Sequence, residues 1–142
     1  MTIGKVLAGR SPDVVQCSVG DSVLEAARQL ADRRIGAMPV VAEGRVVGIF
    51  SERDVLYCIA RQGETALGLR IADVMTAPAI TVEPATSVLE ALALMTRRRI
   101  RHLPVVEGER LAGFVSIGDL VKHRLDQIQS EAEAMRDYIR MA

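Results

Sequence analysis

The chain has 142 residues, 49% hydrophobic and 25% charged, enough for one compact domain. Its 18 Lys+Arg balance 18 Asp+Glu, and aromatics make up 3% with no Trp. That argues against surfaces that recruit nucleic acid or anionic membrane by net charge or base stacking. No apolar run nears the ~20 residues of a membrane span, and the N-terminus carries no signal-peptide stretch, so the cytoplasm is the expected location.

In chain order, the apolar run 14–17 predicts a first strand that includes Cys17. Ser22-x-x-Glu25 then opens a helix with the capping-box pattern, which satisfies free amides at a helix start. Val23, Ala26, Ala27 and Leu30 fall at i, i+3, i+4 and i+7, a single buried stripe. Arg33 and Arg34 close that helix, where positive charge complements its negative end. Runs 38–42 and 46–50 flank Glu43-Gly44 as a hairpin. A second helix starts near Glu52 and runs through Val55, Leu56 and Ile59, with Cys58 inside it. The Gly-containing stretch 62–70 leads into the link Ile71-Ala72-Asp73-Val74-Met75-Thr76. Cys17 and Cys58 are the only cysteines and have no metal-ligand spacing, so both read as reduced thiols in or near the core.

Then the pattern returns, 65 positions on. A strand is expected at 79–82, followed by Ser87-x-x-Glu90 and the stripe Val88, Ala91, Leu92, Met95. Arg97, Arg98 and Arg99 end the helix, and runs 103–107 and 111–115 flank Gly108-Glu109. Residues 22–56 and 87–121 align without insertion and share 15 identities in 35 positions, where composition alone gives roughly two or three. The reading is a mixed α/β (α+β) fold: one β-α-β-β-α unit built twice and packed as one module around a pseudo-twofold axis. A final helix begins near Ile117 and extends towards Ile139. Its residues Val121, Leu125, Ile128, Ala132, Met135 and Ile139 form a narrow heptad-like seam. The seam is expected to pack on a second subunit as a homodimer; the alternative is a helix folded back over its own domain.

Gly48-Ile49-Phe50-Ser51-Glu52-Arg53-Asp54 and Gly113-Phe114-Val115-Ser116-Ile117-Gly118-Asp119 carry the strongest chemical signal. Each is a strand ending in Ser-x-x-Asp as a helix begins. The helix start offers free amides to a phosphate, and the carboxylate could accept two hydrogen bonds from a ribose diol. The same spacing also serves as a capping-box variant that needs no ligand. Before the second hairpin stands Arg101-His102-Leu103-Pro104, against Gly36-Ala37-Met38-Pro39 in the first copy. Cationic residues at this place suit phosphate in the second copy only, and His102 is otherwise a loop histidine.

With both units, both Pro-Val-Val runs, both Ser-x-x-Asp strand ends and the Asp73-Val74-Met75-Thr76 link on the page, the chain resembles a tandem pair of CBS domains, a Bateman module. The resemblance implies one CBS unit over 3–62, a second over 71–125, and a helical extension over 126–142. It implies a non-catalytic regulatory module that binds adenosine ligands (AMP, ADP, ATP, S-adenosylmethionine or NAD(H)) in two clefts. Carried over by position, Asp54 and Asp119 would hold ribose hydroxyls, and Ser51 and Ser116 would contact ribose or phosphate. Gly36, Ala37 and Met38, together with Thr81 and Val82, would sandwich the adenine, and Ile35, Pro39 and Pro104 would belong to the nucleotide-binding surface. Arg101 and His102 would meet phosphate; Ile117 and Gly118 complete the second motif. Arg53 faces Gly118 across the repeat, so the clefts are expected to differ. AMP is expected at Ser116/Asp119 and a larger nucleotide such as NAD(H) at Ser51/Arg53/Asp54. Output would pass through the dimer or an unidentified regulated protein.

An enzyme is the first rival reading. The sequence lacks a P-loop lysine motif, GxGxxG and HExxH, and only His102 and His123 are histidines. Nucleic-acid binding through Arg97-Arg98-Arg99-Ile100-Arg101 is the second, opposed by the zero net charge. A ligand-free dimerisation scaffold is the third.

Overall fold

A computed structural model describes residues 1–141; Ala142, the last residue of the expected extension, lies outside the described residues. Helix α1 (Ile3–Leu7) precedes strand β1 (Cys17–Ser18), helix α2 (Val23–Arg33), strands β2 (Ala37–Ala42) and β3 (Arg45–Ser51), and helix α3 (Glu52–Gln62). A 3-10 helix (Gly63–Gly68) and the short α4 (Ile71–Val74) connect to α5 (Val88–Arg98), β4 (His102–Glu107), β5 (Arg110–Ser116) and α6 (Ile117–Met141).

The repeat survives in fine detail. Ser22 and Ser87 each accept a hydrogen bond from the amide of the glutamate three residues on, at 3.1 and 3.0 Å. Helices α2 and α5 both end on an arginine in the left-handed region, Arg34 with φ 53° and Arg99 with φ 55°. Bulges fall at Val40/Val41 and again at Val105/Val106. The hairpins differ: Glu43 and Gly44 both have positive φ, whereas the second turn has it at Gly108. The first geometry is that of a type I′ turn, which matches the twist of the flanking strands.

One sheet runs β1-β2-β3-β5-β4, so the two hairpins meet edge to edge. Their contact is short. Arg45 pairs with Arg110, the Val46 amide donates to the Glu109 carbonyl at 3.2 Å, and Arg45 and Glu109 form an ion pair at 2.8 Å. Two cores lie under the hairpins, one around Val23, Met38, Val40 and Phe50, the other around Val88, Met95, Leu103 and Val115. The short helices cross over. Ile71 of α4 belongs to the first core, while Ile3 and Val6 of α1 belong to the second. Helix α1 had no sequence expectation, since five residues are too few to show a period.

The predicted first strands are largely absent, which corrects the expectation at 14–17 and 79–82. Only Cys17–Ser18 forms a strand, and in the second copy only an isolated parallel bridge, Val82 to Val105, remains. Here the Val82 amide donates to the Pro104 carbonyl and the Val106 amide to the Val82 carbonyl. The next rung back would need an amide donor at Pro104, or at Pro39 in the first copy, and proline has none. The chain therefore leaves the sheet at 14–15 and 79–80. Cys17 and Cys58 are free, buried thiols. Burial first, then the nearby Asp21 charge, pushes the Cys17 thiol up to about 12, which leaves it unreactive.

Along α6, Leu120 alone is buried, while Leu125, Met135 and Ile139 are each at least 60% exposed. No helix among the described residues is long and apolar enough to cross a membrane.

Candidate functional site

Both Ser-x-x-Asp segments form capping boxes where a strand passes into a helix. In the first, the Ser51 amide donates to Asp54 Oδ2 at 2.9 Å and the Asp54 amide to Ser51 Oγ at 3.3 Å. In the second, the Ser116 amide donates to Asp119 Oδ2 at 2.8 Å and the Asp119 amide to Ser116 Oγ at 3.1 Å. Capping does not use up the carboxylates. It anchors Oδ2 and leaves Oδ1 directed at another segment of the chain. At Asp54 that oxygen accepts from the Thr76 hydroxyl at 3.0 Å; at Asp119 it lies 3.0 Å from Arg10 Nη2.

Each carboxylate opens on a cleft between the repeats. The Asp119 cleft encloses about 630 Å³ and combines Val14, Val15, Ile35, Gly36 and Ala37 of the first copy with His102, Phe114, Ser116 and Asp119 of the second. The Asp54 cleft encloses about 290 Å³ and joins Ser51, Arg53, Asp54 and Thr76 to Arg99, Ile100, Arg101 and His102. Asp54 and Thr76 also border a further cavity of about 490 Å³ with Arg61 and Asp73, so cleft volume does not divide the two sites by ligand size. The smaller cleft has three arginines on its wall, Arg53, Arg99 and Arg101, so its distinguishing property is charge.

Gly36, Ala37 and His102 line both clefts. Gly36 lies close to His102 of the other copy: a Cβ there would stand 3.4 Å from His102 Cε1, an ordinary van der Waals contact. His102 stacks on Phe114 with ring centroids 5.6 Å apart. Burial, then the Arg101 charge, lowers its pKa, while Asp119 and Glu52 pull the other way. The net direction keeps the imidazole neutral at pH 7. Arg101 forms an ion pair with Glu52 at 3.5 Å.

The expected site residues separate into three groups. Ile35, Gly36, Ala37, Ser51, Arg53, Asp54, Arg101, His102, Ser116 and Asp119 come to the two clefts, while Ile117 borders an adjoining cavity of about 600 Å³. Met38, Pro39 and Pro104 are buried within the sheet, and exposed Gly118 borders neither cleft. Thr81 and Val82 border a separate groove with Glu83 and Arg97. Because the chain leaves the sheet early, it is Val14 and Val15, not the residue aligned with Val82, that reach a cleft. The sequence reading also missed Arg10, Phe114 and Thr76. Thr76 and Phe114 stand within quoted motifs; Arg10 had no local signal.

Comparison with known proteins places this geometry. The CBS domain family matches residues 5–61 and 71–126. Among curated relatives, the mitochondrial CBS domain-containing protein CBSX3 of Arabidopsis thaliana is 38% identical over 128 residues, covering 87% of this chain and 62% of that protein. The uncharacterised protein YlbB of Bacillus subtilis is 40% identical over 111 residues, covering 76% of this chain and 74% of its own length. Among solved structures, the CBS-domain protein ATU1752 of Agrobacterium tumefaciens superposes with a TM-score of 0.81 at 38% identity, over 87% of this chain and 92% of that one. CBSX2 in complex with AMP gives 0.77 at 26% identity, over 90% of this chain and 98% of that one. The CBS pair of MJ0100, in complex with 5′-methylthioadenosine and S-adenosyl-L-methionine, gives 0.78 at 25% identity, over 89% of this chain and 98% of that one. Two family matches, over 5–61 and 71–126, folded on one sheet with two clefts between them, make this chain a member of the CBS-domain family with its CBS domains in tandem.

Proposed function

We propose that the chain is a non-catalytic regulatory module that senses adenosine nucleotides, with AMP the first candidate and ADP, ATP or NAD(H) the others. The observation that carries this reading is the pair of anchored carboxylates. Each sits at a helix start with Oδ2 held by its own box, on the wall of a cleft between the repeats, where the carboxylate can accept hydrogen bonds from a ribose diol in competition with its Thr76 or Arg10 partner. The complexes of CBSX2 with AMP and of MJ0100 with adenosine-derived ligands support it.

The test is a thermal-shift panel of AMP, ADP, ATP, NAD⁺, NADH and S-adenosylmethionine on nucleotide-stripped protein, with GMP as control. A ligand at a hundred times its Kd adds about 2.7 kcal/mol. Stabilisation by an adenosine ligand and not by GMP is expected. A flat panel would leave a dimerisation scaffold as the better reading.

Signalling through a homodimer is the second part of the proposal. The exposed seam of α6, with Leu125 at 60%, Ile128 at 45% and Met135 at 60% exposure, supports pairing with the same seam of a second copy. Sedimentation velocity should find a dimer that Leu125→Asp converts to monomer. A wild-type chain that sediments as a monomer at high micromolar concentration would refute it. An unidentified regulated protein would then read the dimer's state.

A further inference from the structure

Asp119 is already engaged. Arg10, 109 positions away in the chain, places Nη2 3.0 Å from Oδ1 and donates from Nη1 to Oδ2 at 3.4 Å. Asp54 has a neutral hydroxyl in that place, from Thr76. The difference comes from chain length. Ile3, Val6 and Leu7 stand where Ile71, Val74 and Met75 stand in the other half, 68 positions apart instead of 65. Leu7 lies against Gly113 as Met75 lies against Gly48, which supports the alignment. The first copy therefore has extra residues between its short helix and its strand, and Arg10 is in that segment.

We propose that Arg10 is a specificity-determining residue of the Asp119 cleft, selecting adenosine ligands that carry a phosphate over neutral or cationic ones. The inference rests on the reading of this cleft as an adenosine-nucleotide site. A ribose diol bonding to Asp119 competes for the carboxylate with the guanidinium and the Ser116 amide, so binding comes at the expense of a charge-assisted contact. The displaced guanidinium remains on the cleft wall, where Arg34 is a second cation and Asp13 the other carboxylate. An incoming phosphate compensates both cations through the forked geometry that arginine offers to oxyanions. Adenosine and 5′-methylthioadenosine have no such group, and a sulfonium adds repulsion. The Thr76 contact at Asp54 imposes no comparable requirement, because giving up a hydroxyl leaves no charge uncompensated.

The experiment titrates the full-length chain with AMP, adenosine and 5′-methylthioadenosine. The readout is the amide resonances of Ala112 and Phe114, which border the Asp119 cleft and not the Asp54 cleft. Wild type, Arg10→Gln and Arg10→Lys are compared. The wild-type preference for AMP over adenosine should fall at least about tenfold in Arg10→Gln. Weaker AMP and tighter adenosine binding both contribute, and Arg10→Lys should recover part of the preference. An unchanged ratio in Arg10→Gln, with AMP still bound, overturns the role of Arg10 alone. A wild-type chain that binds none of the three overturns the nucleotide reading and this inference with it.

Discussion

Asp119→Ala is expected to weaken AMP binding at its cleft by roughly tenfold or more. Two hydrogen bonds from a diol to a carboxylate are lost at about 1.5–3 kcal/mol each, the Arg10 contact that the diol displaces offsets part of that loss, and every 1.4 kcal/mol is about tenfold. Asp54→Ala should leave the resonances of Ala112 and Phe114 responding to AMP as in wild type, since Asp54 lies outside their cleft. Asp119→Ala also removes half of a capping box, which costs about 1 kcal/mol of fold stability, too little to unfold the domain. An Asp119→Ala protein that binds AMP in that cleft with wild-type affinity would remove the carboxylate from the site.

The same residue gives a pH signature. Burial alone would raise the Asp119 pKa, but bonds from the Ser116 amide, Arg10 and the Ser116 hydroxyl outweigh it, and the net value lies below the ordinary 3.8. A carboxyl with a depressed folded-state pKa contributes stability that is present above the unfolded value and lost as pH falls through the folded one. The stability gap between wild type and Asp119→Asn should therefore be full near neutrality and shrink below pH 3.8. Urea unfolding from pH 7 to pH 3 measures it. A gap that widens on acidification would contradict the ionised, hydrogen-bonded state.

Gly48→Ala is expected to cost about 1–3 kcal/mol, as overpacking does, and more than Gly113→Ala at the repeat-related position. A Cβ on Gly48 would lie 2.8 Å from the Thr76 carbonyl oxygen and 2.8 Å from Met75 Sδ. That carbonyl cannot retreat freely. Thr76 and Ile49 exchange both amide hydrogen bonds at 2.9 Å, and the Thr76 hydroxyl holds Asp54. At Gly113 the obstructing atoms are the ends of the Leu7 side chain, which can change rotamer. Gly48→Ala should therefore also displace Thr76 from Asp54 and change binding in that cleft. Urea midpoints of the two variants test the order. Equal midpoints would mean that the 71–76 link yields as readily as a leucine side chain.

These two glycines separate what short-range chemistry decides from what it does not. The repeat, its helices, both hairpins and the serine caps were readable because each depends on residues within a few positions of one another. A capping serine finds an amide three residues on, and an apolar stripe recurs every turn. The left-handed ends at Arg34 and Arg99 and the duplicated bulges show the same local logic acting twice. The two Ser-x-x-Asp boxes were readable for this reason too, though their spacing alone could not separate capping from ligand binding.

Tertiary structure alone decided the rest. Pro39 and Pro104 cut the first strands short by withholding a donor from a rung formed with residues far away in sequence. That moved Val14 and Val15 into a cleft and left Thr81 and Val82 in another groove. The placement of α1 in the second core and of α4 in the first has no periodic signature, because helices of five and four residues are too short to show one. The contact of Arg10 with Asp119 spans 109 positions, and a pairing of that range follows from loop length and packing geometry, which no local pattern encodes. By itself the sequence determined a duplicated unit and its two carboxylates; the fold decided what each carboxylate faces, a hydroxyl at Asp54 and a guanidinium at Asp119.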